Sequence, residues 1–458
     1  MRGTEETVRN WTLLALLSGF VACDGDTSTD DTIIPPDTGD DPTDTTTDTE
    51  PTDTTDTGGT TTTEPAGSCG PLPTQAGTNV AATDSLFAAI ANAAANDVLI
   101  LAPGTYELVS PVNVSRPITI RSQTNNPADV VIDGSGVAGD LFRVSVSNVT
   151  FAHVTIEGSD QDSIAIKPES NVNINGFRFH DVIIRNSGAY GIRIDGDFGD
   201  DWPGADDGEI SCSRFVLEDG AKDDLAAICV AGAIDARGVR NWLVRDNRME
   251  NFWCEDNFTF PPALRFWRGS RNVEITRNRL IDTPLGIVAG QTQEFEGRTY
   301  TGLACPSGAG VLQLVDSRIT NNIVSSNDAP AMRAGIMAEN SCNTRIIHNS
   351  VYSRLEETAR YDTSAIEHTY TSTSGVLANN LTSHTTRRLA NSALVAEGNV
   401  ENVPETYWFF PGQDDFRTSP TAEDAIDQGS TAFLADVPVD VDGEPRDDGM
   451  PDVGADER

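Results

Sequence analysis

The chain has 458 residues, a formal charge of −39 and a pI near 4.2. A field this negative excludes nucleic acid and anionic membrane surfaces as partners. It admits a polyanionic glycan only where a local basic strip or bound calcium reverses the sign.

Arg2 and Arg9 precede an apolar run from Trp11 to Ala22, too short to span a bilayer permanently, and residues 1–22 read as an export signal. The run ends in Gly19-Phe20-Val21-Ala22-Cys23, which resembles a bacterial lipobox with Cys23 as the lipidated residue, although Phe20 stands where Leu is usual. Residues 23–66 form a Thr/Asp/Pro stretch with thirteen acids and no Lys or Arg after Cys23. Such a stretch buries no core and serves as an extended, self-repelling tether. The expected location is the bacterial cell envelope or surface, with membrane contact only through the lipid.

From residue 83 the pattern changes. Leu86, Ala89, Ile90 and Ala93 give an apolar helical stripe with a capping residue just ahead. The run Val98-Leu99-Ile100-Leu101 then reads as a first strand. Next comes a recurring phrase, apolar–x–x–Asn–x–apolar: Val244…Asn247…Met249, Ile275…Asn278…Leu280, Ile319…Asn322…Val324, Ile346…Asn349…Val351 and Val376…Asn379…Leu381. Phe151…Val154…Ile156, Phe179…Val182…Ile184 and Ile210…Ser213…Phe215 keep the frame with other residues in the Asn slot. Spacing between phrases varies while the phrase holds, as in a stacked solenoid. Each phrase is two short strands at a tight bend, with Asn supplying the left-handed conformation and an amide that bonds to the next turn ~4.8 Å away. A third strand follows, as in Gly191-Ile192-Arg193-Ile194, Ala263-Leu264-Arg265-Phe266, Gly286-Ile287-Val288, Gly335-Ile336-Met337 and Ala365-Ile366-Glu367.

Three strands per turn predict an all-β, right-handed parallel β-helix of about nine turns over residues 67–397. The Asn ladder and the helical entry resemble the pectate-lyase-like superfamily, which implies that the N-terminal α-helix caps the first turn. Residues 398–458, with Asp440-Val441-Asp442-Gly443-Glu444, resemble the C-terminal segment of secreted β-helix surface proteins and are expected to cap the last rung. The six cysteines after Cys23 favour disulfides in an exported protein, with fifteen pairings open. A monomer is expected.

Chemistry in this superfamily sits on the outer face of the third strand. Alternation there points Lys167, Arg193, Asp195, Asp235, Arg265, Trp267, Met337, Glu339 and Glu367 outward. Asp195 and Asp235 are expected to face one another on adjacent rungs. Three readings follow: carboxylates paired with Arg193 and Lys167, a calcium site completed by Asp197, Asp200 and Asp201, or a glycosidase acid–base pair. The segment from Arg240 to Arg279 carries eight arginines against five acids, with interleaved aromatics. Its expected saccharide contacts are Trp253, Phe258, Phe260, Trp267 and Arg268. The resemblance implies Arg or Lys as a lyase base with calcium as neutraliser, making Lys167, Arg193 and Arg265 the catalytic candidates. The resulting expectation is action on an extracellular polysaccharide, possible calcium included, with a non-catalytic adhesion or structural protein as the rival. No histidine motif adds to this: His153, His180, His348, His368 and His384 are scattered.

Overall fold

A computed structural model describes residues 69–458 apart from 170–171, 197–202, 223–229, 255–260, 293–295, 304, 306–311, 328–330, 355–362 and 448. Its strands stack into three long parallel sheets of twelve, eleven and ten strands, so the solenoid exceeds the nine turns counted from the phrases. Rungs at both ends lack the phrase, which is why they escaped the count. Sheet 1 runs from Thr78–Val80 to Ala393–Glu397, sheet 2 from Gly104–Glu107 to Val400–Glu401, and sheet 3 from Val112–Val114 to Thr386–Arg388. Each rung visits them in that order. The helix Leu86–Asn92 precedes the first full rung, with the Ser85 hydroxyl accepting from the Ala88 N–H at 3.2 Å and Leu86 and Ile90 buried.

The core is a set of axial rows. On sheet 1, Ile120, Phe151, Phe179, Ile210, Val244, Ile275, Ile319, Ile346 and Leu377 lie in register, all buried. Like stacks on like, and Phe151 and Phe179 lie 5.8 Å apart and nearly coplanar. The last phrase is therefore off by one residue: Leu377, not Val376, pairs with Ile346, and Asn380 occupies the ladder slot assigned to Asn379.

The ladder runs through Asn247, Asn278, Asn322, Asn349, Asn380 and Asn399. Each Nδ2 donates to the next Oδ1, at 2.9, 2.9, 3.0, 3.0 and 2.8 Å. Each Oδ1 also accepts a backbone N–H from the preceding rung, and Ser213 opens the ladder by donating its N–H to Asn247 Oδ1 at 2.9 Å. The left-handed residue is the one before the ladder Asn: Asp246, Arg277, Asn321, His348 and Asn379 have φ between 52° and 56°. Bend and ladder are thus separate duties on neighbouring residues. Only the buried amide is irreplaceable, because a buried polar group must be paired.

The C-terminal segment does not close the last rung. It runs back along the outer face of sheet 2, where Trp408 and Phe416 pack on Tyr352 at ring distances of 5.2 and 5.9 Å. Asp414 reaches Arg248 at 2.8 Å and Asp442 reaches Arg279 at 2.7 Å. Inward positions of the final rung are instead mostly small or polar: Thr386, Arg388, Ala396 and Glu401 stack beyond Ile366, His368, Leu377 and Thr382, and Leu394 stays apolar. A polar terminal repeat makes the end tolerable to water. His348 is structural, its ring buried between Asn379 Nδ2 at 3.0 Å and the Gly454 carbonyl at 3.3 Å. Disulfides join Cys69 to Cys212 and Cys305 to Cys342, and Cys254 is disulfide-bonded as well. Cys23, Cys229, the signal and the tether lie outside the described residues.

Candidate functional site

Two rows of outward side chains cover sheet 3. One runs Arg143, Ala165, Arg193, Asp235, Arg265, Val288, Met337, Glu367, Arg387. In the other, Asp195 stands opposite Arg237 and Arg237 opposite Trp267. Lys167 continues this second row one residue beyond Ile166, which pairs with Ile194. Rungs lie ~4.8 Å apart, so Asp235 and Asp195 each have an arginine on the next rung.

This register corrects the expected Asp195–Asp235 pair. The two sit in different rows, and Arg237 lies between them, with Nε 2.7 Å from Asp235 Oδ2 and Nη1 3.1 Å from Asp195 Oδ1. A guanidinium holds the place imagined for calcium. Asp235 is 0% exposed and also accepts from Arg265 Nε at 2.7 Å and Trp267 Nε1 at 3.0 Å. Burial, the largest single influence, lowers the Arg265 pKa, but Asp235 and Tyr190 together outweigh it and raise it. Tyr190, 3.4 Å from Arg265 Nη2, is pushed up to about 12 by burial and by Asp235. Arg265 is thus a partly buried ion held by Asp235.

The expected saccharide platform also changes. Trp267 is 5% exposed, and the guanidinium carbons of Arg265, Arg268 and Arg237 lie 4.4, 4.8 and 5.0 Å from its ring centroid. Cations occupy the surface a sugar would need. Burial and the neighbouring Arg237 charge lower the Arg268 pKa. Trp253 precedes the strand Leu264–Trp267; its Nε1 donates to Asn251 Oδ1 at 2.6 Å and Lys222 Nζ lies 3.7 Å above its ring. Trp242 and Phe266 are core. Phe258, Phe260, Asp197, Asp200 and Asp201 lie outside the described residues.

What the face does offer is a cleft of about 490 Å³ lined by Asp140, Arg143, Asp162, Lys167, Arg193 and Asp195, among others. Lys167 and Arg193 come together here; Arg265 does not line it. Arg193 spans two carboxylates, with Nη1 3.5 Å from Asp162 Oδ2 and Nε 2.8 Å from Asp195 Oδ2. Their environments differ. Asp195 is ion-paired to both Arg193 and Arg237, although its Oδ1 has no well-directed hydrogen bond. The Asp162 side chain is 3% exposed, and burial pushes its pKa up to about 6, partly offset by the Tyr190 N–H at 3.0 Å and by Arg193. Sequence reasoning missed Asp162. It lies in the loop before Ile164–Ile166, where no alternation tells which way a side chain points.

A second raised carboxyl lies further along the face. Glu339 is pushed up to about 7 by burial and by the charge of Glu367, which Arg333 grips at 2.8 and 3.1 Å. A folded-state pKa above the unfolded value gives stability that is complete below about pH 4.3 and lost as pH rises through about 7. Glu339→Gln removes this dependence. Between pH 5 and pH 8 the wild type should lose on the order of 2 kcal/mol relative to the variant. Urea midpoints of both proteins at the two pH values test this; a constant offset would refute it.

Among the described residues, the grouping of three Cys, His, Asp or Glu donors within 4.8 Å is Cys69, Cys212 and Asp246. Its two sulfurs are bonded to each other, so it offers no thiolate ligand.

No family model and no curated protein matches the chain. Solved structures do. Pectate lyase Pel9A is 12% identical, covering 84% of this chain and 97% of its own, with a TM-score of 0.48. A rhamnogalacturonan lyase is 16% identical over 80% and 90%, at 0.36. The surface protein and adhesin PfbA of Streptococcus pneumoniae is 13% identical over 66% and 89%, at 0.37. The fold is a parallel β-helix. At these identities the likeness extends to fold alone.

Proposed function

We propose that the protein cleaves an extracellular polysaccharide in the sheet 3 cleft, with Asp162 as general acid and Asp195 as its partner carboxyl. The observation that carries this reading is the single guanidinium of Arg193 contacting two carboxylates in unlike surroundings. One is buried, which pushes its pKa up to about 6; the other is held by two arginines. Unlike environments assign acid and base roles to a carboxyl pair. Their common guanidinium keeps them no more than roughly 9 Å apart, compatible with glycoside hydrolysis. Lys167, exposed on the cleft wall, and Arg143 supply cations for acidic groups on the polymer. Export and a lipid on Cys23 would hold the enzyme at the cell envelope. Calcium enters this reading only through Asp197, Asp200 and Asp201.

The lyase reading keeps Lys167 as its base, and the products separate the two. Hydrolysis releases reducing ends without new ultraviolet absorbance, whereas elimination creates absorbing unsaturated ends. Expected is reducing-end release from at least one of a panel of extracellular polysaccharides. Absorbance growth would shift the assignment to Lys167-driven elimination. Absence of both, with binding retained, would leave the adhesion reading.

A further inference from the structure

A second, outer ladder stands where sheet 3 turns into sheet 1. Asp207, Asn241, Asn272, Asp316 and Asn343 occupy equivalent positions on five successive rungs, all left-handed, with φ between 50° and 55°. The four later residues line an open groove of about 590 Å³ on the sheet 1 side, with Glu274, Arg318 and Arg345. Asn241 Nδ2 donates to Asp207 Oδ1 at 2.8 Å, Asn272 Nδ2 to Asn241 Oδ1 at 2.8 Å, and Asn343 Nδ2 to Asp316 Oδ1 at 2.9 Å. Every amide thus donates toward the lower-numbered rung.

The sequence of donors breaks once, between Asn272 and Asp316. A carboxylate has no N–H to pass on, so Asn272 Oδ1 receives no hydrogen bond among the described residues. Asp316 itself is served by Arg271 Nε at 2.8 Å and by Asn343. Two acceptors therefore face each other across ~4.8 Å at the groove floor, open to a donor from outside. Arg271 is paired with Asp316 and Arg345 with Asp436, while the exposed Arg318, 3.8 Å from Asp436, keeps donors of its own.

We infer that this groove is a second saccharide-binding site, in which a sugar hydroxyl donates into the Asn272–Asp316 gap and neighbouring hydroxyl oxygens accept from Arg318. It lies on another face from the sheet 3 cleft and stands independently of the catalytic reading. Two sites on one polymer raise avidity without any new contact.

Asp316→Asn is the informative variant. It removes the carboxylate charge and one of the acceptor oxygens that the gap offers. Asn272→Ala removes the facing acceptor instead. Affinity electrophoresis of the full chain through gels containing galactan or polygalacturonate reads the result, and the two gels distinguish an uncharged from an acidic chain. Expected is retardation of the wild type in at least one gel, with Kd raised about tenfold by each variant. Cleft turnover should be unchanged. Absence of retardation in both gels overturns the inference. So does retardation that neither variant alters, or that chelation with EDTA abolishes. Asp162→Asn, which disables the cleft, should leave retardation intact, so failure of one site is not mistaken for failure of the other.

Discussion

Asn322→Ala is expected to destabilise the solenoid by at least about 3 kcal/mol, since each buried polar group left unpaired costs about 1–3 kcal/mol. Asn322 Nδ2 donates to the Ile275 and Thr320 carbonyls and to Asn349 Oδ1, at 2.9, 3.0 and 3.0 Å. Its Oδ1 accepts the Asn278 backbone N–H at 3.0 Å and Asn278 Nδ2 at 2.9 Å. Truncation leaves these partners stranded where water cannot reach, because Asn322 is 0% exposed. Asn399, the last member, donates to the Leu377 carbonyl and serves Asn380, with no further amide beyond it. Asn399→Ala should therefore cost clearly less. Urea unfolding of the two variants decides the matter. Equal losses would mean that the ladder members act singly and that the stack adds nothing.

Asp162→Asn should lower kcat by roughly 10²–10⁴-fold, the usual contribution of a positioned proton donor. The amide keeps the size of the side chain and can still accept the Tyr190 N–H, so the cleft should stay folded. What is lost is the transferable proton. In the wild type the acid form is needed, so kcat/KM should fall as pH rises through about 6. The variant should lose that limb along with the activity. Unaltered turnover in Asp162→Asn, or an alkaline limb that survives the substitution, would remove Asp162 from the mechanism.

Much of the fold was legible because solenoid information is local. A period of two and an in-frame Asn are read within six residues, and they gave the inward row from Phe151 to Ile346. The one-residue slip at Asn379 has a local cause too: Val376, Leu377, Asn379 and Asn380 are neighbours of matching type, and either pair satisfies the phrase. Only stacking on Ile346 and Asn349 chooses between them. The candidate site was less legible. Lys167, Arg193 and Asp195, expected to point outward from the third strand, line one cleft. The pairing of Asp195 with Asp235 failed, because alternation tells which side a residue takes but not how far along each strand sits against its neighbour. Loops of unequal length set that offset.

The amino-acid order by itself determined a stacked three-strand coil, its buried amide line and the outward face of sheet 3, since each follows from a repeat shorter than one rung. Tertiary structure alone decided the rest. Arg237 came between two acids, Trp267 disappeared beneath guanidinium groups, and the C-terminal residues lay along sheet 2 instead of across the end. Asp162 acquired its raised pKa from burial, partly offset by Arg193, 31 residues further along the chain. Burial and axial register are set by contacts between rungs, and no window along the chain contains both partners.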